Sequence, residues 1–168
     1  KHREWHKDQK AHAVQHREST LAEDERSSAE YAARLAERAG DEYSTRFADA
    51  LVLMAEDDHN ATAKAWRKII KMRPEEPDSW FNLGVVMERS GRSVEAAHMF
   101  LKAMELYEDG TKDWADAAAM VFDLLKTDDC DDLPKPEWWN DEGLKALSAR
   151  VVALAPDSTH ACSMRARV

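Results

Sequence analysis

From Tyr43 onward the apolar residues recur at steps of three and four. Phe47, Leu51 and Met54 follow this spacing, and so do Trp114, Ala118 and Val121, with Phe81 and Val85 one step of four apart between them. That interval places each set on one side of a helix. Polar residues and helix-ending signals separate the sets. Gly40 can close one helix and Asp41 open the next, and Asp57 to Asn60 reads as a turn with Asn60 as cap. Pro74 and Pro77 bracket a junction, and Gly91 and Ser93 mark a further turn. The pattern predicts pairs of amphipathic helices and no strands.

The pairs repeat. A shift of 34 residues aligns Phe47 with Phe81, Leu51 with Val85, Trp66 with Phe100 and Met72 with Leu106, and a second shift brings Trp80 to Trp114 and Gly84 to Ala118. A fixed period of this length means stacked supersecondary units. The expected units span residues 43–76, 77–110 and 111–156. The third carries an insert at 127–140, and a fourth opens at 157–168 without its second helix. Residues 1–40 are expected to form a helical N-terminal segment, part of it belonging to an earlier repeat. The first residue is Lys and no apolar leader follows it, so the chain is expected to be processed or to be part of a longer one.

Within "PDSWFNLGVVMERSGRSVEAAHMF", the residues Trp80, Leu83, Gly84, Gly91, Ala96 and Phe100, followed by Ala103, stand at the spacing of the tetratricopeptide repeat, which the sequence resembles. The match is fullest over 77–110. Over 43–76 Arg46 replaces the Trp, and over 111–156 the second helix arrives about 14 residues late. The physical roles are readable directly: Gly84 and Ala96 are small where two helices cross, Phe100 fills the space between units, and Gly91 permits a tight turn. The resemblance implies an all-α fold, a right-handed α-solenoid of helix-turn-helix repeats.

Composition agrees with helix, since Gly and Pro number only five each among 168 residues. The net charge is −9, and because residues 1–40 hold eight acids and eight bases, the whole excess lies beyond Gly40. An acidic body repels phosphates, which argues against nucleic acid. No apolar run is long enough to span a membrane. Cys130 and Cys162 are too few for a disulfide framework and fit a reducing intracellular compartment.

By the resemblance, first helices of successive units line a concave groove. The lining here is Phe47, Leu51 and Met54, then Phe81, Val85 and Glu88, then Ala115, Ala119 and Phe122. Such an apolar groove is expected to bind a helix or peptide of a protein partner, or to be filled by the chain itself. Some family members clamp a C-terminal carboxylate. Asn82 and Lys112 fit two of those positions, but Phe47 and Leu51 replace a Lys and an Asn, and Asp116 stands where Arg is required.

The insert "TDDCDDLPKPEWWN" adds four Asp and the pair Trp138 and Trp139. If the pair is helical, one Trp packs inward and the other is available to anchor a partner. The Asp spacing lacks the ligand alternation and the glycine of an EF-hand. His2 and His6, then His12 and His16, fall on one helical arc that could hold a metal, yet no further ligand completes a set. No phosphate loop, nucleophile elbow or His-Glu protease motif is present. The sequence therefore predicts a non-enzymatic protein-protein interaction module without cofactor, in a hetero-complex. The competing expectation is a structural or linker subunit held permanently in a larger assembly.

Overall fold

The structure, a computed structural model, describes residues 23–56 and 58–168, and every regular element among them is helical. The protein is all-α. Its chain divides into two compact units, Lys1–Asp58 and His59–Val168. That boundary falls inside the 43–76 stretch of the repeat pattern.

In the first unit, a helix over residues 23–39 (α1) turns into α2, Glu42–Ala55. Gly40 makes the turn with φ 71°, a left-handed conformation that costs other residues. The Gly40 N–H donates to Glu37 O and the Asp41 N–H to Ala36 O, the pair of bonds that closes a helix C-terminus. Asp41 then caps α2, its carboxylate accepting from the Ser44 N–H at 3.1 Å. Ala29 is buried, and Ala33 and Ala36 are half-buried, at the spacing of one helical face. Between α1 and α2 lies a cleft of about 650 Å³ lined in part by Ala33, Arg34, Asp49 and Val52.

The second unit holds α3 (His59–Met72), α4 (Pro77–Arg89), α5 (Ser93–Leu106), α6 (Lys112–Leu125), α7 (Asp141–Leu154) and α8 (Thr159–Arg167). From α3 to α6 each helix packs on the next one along the chain, and α6 also packs on both α7 and α8. The α4–α5 turn repeats the chemistry of Gly40. Gly91 has φ 72°, its N–H donates to Glu88 O, and Arg92 N–H donates to Met87 O. Gly84 is small for a reason visible in the packing: a Cβ there would stand 2.8 Å from Phe100 Cε1. Phe100 is fully buried, a burial worth about 1.5–3 kcal/mol.

One local expectation is revised. Asn60 lies inside the first turn of α3, which begins at His59, and so is not the cap. Gly91 and Ser93 do flank a turn, in which Arg92 takes the cap position of α5 and makes no side-chain cap bond. In α8 the buried residues are Ala161 and Met164, whereas Cys162 is exposed.

The largest revision concerns α6. Ala115, Ala119 and Phe122 are fully buried and do not form an exposed lining. They belong to one apolar cluster with Trp114, Leu147, Val151 and Met164. The Ala-rich stretch of α6 lets α7 and α8 approach closely, so that helix is covered nearly all round.

Candidate functional site

The expected lining residues fall into two groups, one in each unit. In α2, Phe47, Leu51 and Met54 are half-buried, with the Tyr43 and Phe47 rings 6.0 Å apart. In α4, Phe81, Asn82 and Val85 are half-buried and Glu88 is exposed. Of the two expected lining helices in the second unit, α4 and α6, α4 is the one whose lining stays partly open to solvent.

That face is held in shape by aromatic packing. Phe81 meets Phe100 edge-on with centroids 5.1 Å apart, and meets Tyr107 edge-on at 6.4 Å. These geometries favour contact of ring edge with ring face. The Tyr107 hydroxyl donates to Asp78 Oδ1 at 2.7 Å, tying the end of α5 to the first turn of α4. Burial, then Asp78, and then the charges of Asp113 and Asp116 push the Tyr107 ionisation far above its ordinary value. Sequence reasoning missed this tyrosine. It lies outside the repeated positions, and no spacing marks its partner Asp78.

Asn82 and Lys112 are engaged locally. The Asn82 amide donates to Asp78 O at 2.9 Å, and Lys112 Nζ lies 2.6 Å from Asp116 Oδ2, which raises the lysine pKa. The two do not converge on a cationic pocket, because each serves its own helix.

The insert is docked. After α6 it forms a short 3-10 turn, Asp128–Cys130, with Cys130 fully buried, and then runs without regular structure to Asn140. Lys135 Nζ donates to Leu125 O at 3.0 Å and to Cys130 O at 2.7 Å, and lies 5.6 Å from the Trp139 ring centroid. Ser93 Oγ donates to Asp129 Oδ2 at 3.1 Å, linking the insert to α5. Trp138 and Trp139 both pack against the α6–α7–α8 cluster, with Trp139 5.8 Å from Phe122 and 5.7 Å from Trp138. The expected division into one packed and one outward Trp is not observed, because the pair precedes α7 in a turn closed by the Trp139 N–H donating to Pro136 O. Gly143 keeps this turn tight, since a Cβ there would run into the Trp138 carbonyl oxygen.

Beyond the insert, α8 is fastened to α6 through Asp123. His160 Nδ1 lies 2.8 Å from Asp123 Oδ2, and Arg167 approaches the other carboxylate oxygen at 3.5 Å. Among the described residues, no group of three His, Cys, Asp or Glu gathers to hold a metal, and no helix is long and apolar enough to cross a membrane. The histidine pairs at positions 2, 6, 12 and 16 lie outside the described residues. The four Asp of the insert are exposed.

The fold defines an all-α protein whose second unit is a series of successively packed helices. No protein-family model matches the chain, and no curated protein matches it significantly.

Proposed function

We propose that this chain is a protein-protein interaction module. In this reading, His59–Val168 is a right-handed α-solenoid of tetratricopeptide-like helix pairs that binds a helix or peptide of a partner. The observation that carries the proposal is the α4 face, where Phe81 and Val85 are only half-buried beside Asn82 and Glu88 while the equivalent stretch of α6 is covered by the chain itself. Desolvation of apolar surface, at about 25 cal/mol per Å², supplies the affinity. The successive packing of α3 to α6 and the fit of Phe100 over Gly84 support the repeat architecture. Phe47, Leu51 and Met54 offer a second apolar set in the first unit. Trp138 and Trp139 act in this reading by closing the α6 side, not by anchoring a partner.

The test compares partners captured by wild type with those captured by Phe81→Asp and Val85→Asp, with helix content checked by circular dichroism. Loss of the same partners from both folded variants supports the α4 face. Retention of every partner by both removes it.

A second reading, a subunit held permanently in a hetero-complex, is favoured by Tyr31 and Leu35. They lie one turn apart on α1 and are 61% and 47% exposed. Replacing both with Lys would then release the subunit from its assembly without changing peptide binding at α4.

A further inference from the structure

The first turn of α4, the residue after α5 and the first turn of α6 meet around Tyr107. Asp78 accepts from its hydroxyl, Phe81 packs edge-on against its ring, and Asp113 and Asp116 lie near enough for their charges to act on the phenol. Lys112 is the one cation in this group, and it pairs with Asp116. Asp113 is exposed and has no ion-pair partner among the described residues. Two uncompensated carboxylates therefore stand beside an aromatic pair, with Val85 one turn further along α4.

We propose that this end of the α4 face docks a Lys or Arg side chain of a partner segment, whose apolar side chains lie along Phe81 and Val85. The inference rests on the reading of α4 as a binding face and adds the chemistry of what binds. A guanidinium can donate to carboxylates through its fork of N–H groups while lying against an aromatic ring. An acidic segment would meet like charge at the same point. A second copy of this chain fits poorly, because a two-fold contact through this patch would bring its carboxylates against their own equivalents, on a chain of net charge −9.

The test uses two synthetic amphipathic helical peptides of one pattern, one built from Leu and Arg and the other from Leu and Glu. Each is titrated into the isotopically labelled full chain. The Leu/Arg peptide should shift the amide signals of Phe81, Val85 and Tyr107. Asp78→Asn combined with Asp113→Asn should weaken it about ten-fold, whereas Asp128→Asn combined with Asp132→Asn, which removes the same charge from the insert, should change it less than about two-fold. Equal weakening by both variant pairs, or equally tight binding of the Leu/Glu peptide at these residues, would overturn the basic-residue proposal and leave the α4 face standing. Shifts at these signals on concentrating the chain alone would assign the patch to self-association. If neither peptide moves the signals of Phe81 and Val85, the α4 binding face fails as well.

Discussion

The ring of Phe100 lies directly over Gly84, with Cδ1 2.9 Å and Cε1 2.8 Å from where a Cβ at position 84 would stand. Two helices of one hairpin are thereby set at a separation that no other residue at 84 permits without movement. Phe100 is fully buried and its ring is rigid, so the strain cannot be relieved by rotating a flexible chain end.

Gly84→Ala therefore costs stability even though Ala is the better helix former. Overpacking costs about 1–3 kcal/mol, and the gain in helix propensity returns up to about 1 kcal/mol. Chemical denaturation should give a net loss. Adding Phe100→Leu to Gly84→Ala should cost less than the two single losses summed, because the smaller side chain leaves room for the methyl group. Additive losses would mean that the two residues do not oppose one another.

Thr111 caps α6, its hydroxyl oxygen accepting from the Trp114 N–H at 3.2 Å. Thr111→Ala should destabilise by about 1 kcal/mol, and Thr111→Ser should restore most of that. Hydrogen exchange at the Trp114 amide is the local readout. It should speed up in the Ala variant and return toward wild type in the Ser variant.

Cys130 is the buried residue of the insert, and Cys162 is exposed. In a Cys162→Ser background, a thiol reagent should reach Cys130 only when the insert opens. Lys135→Met removes both bonds from Nζ to Leu125 O and Cys130 O. A hydrogen bond from a charged group contributes about 1.5–3 kcal/mol, so labelling should accelerate about ten-fold or more. An unchanged rate would mean that Lys135 does not hold the insert down.

Tyr107 is kept neutral by burial and by the acids around it, with its ionisation raised above the ordinary 10.0. The raised value contributes stability that is fully present below the unfolded-state ionisation and is lost as pH rises above it, because the unfolded phenol releases its proton first. Ultraviolet titration should find one tyrosine that ionises only with unfolding. Tyr107→Phe should remove that component and flatten the fall in stability at alkaline pH.

Much of the secondary structure is legible in the letters. Gly40 and Gly91 mark turns that need a left-handed residue, Asp41 caps the helix that follows it, and Pro77 takes the first position of α4, where its missing N–H costs nothing. These are local effects, decided within a few residues. The small size of Gly84 and Ala96 and the burial of Phe100 are equally readable, because close helix crossing demands them. Exposure is not local. Phe81 and Phe122 both belong to the expected groove lining, yet Phe81 is half-buried and Phe122 is fully buried.

The sequence by itself determined that the chain is helical, where its turns fall and which small residues let helices meet, since backbone conformation and side-chain size act over short range. The tertiary structure decided which apolar faces remain open. Trp139 comes to rest on Phe122, and α7 and α8 close over Ala115 and Ala119, because burial depends on which distant segments return to a face. The same long-range return brings Tyr107 to Asp78 across 29 residues, a pairing that no periodicity announces.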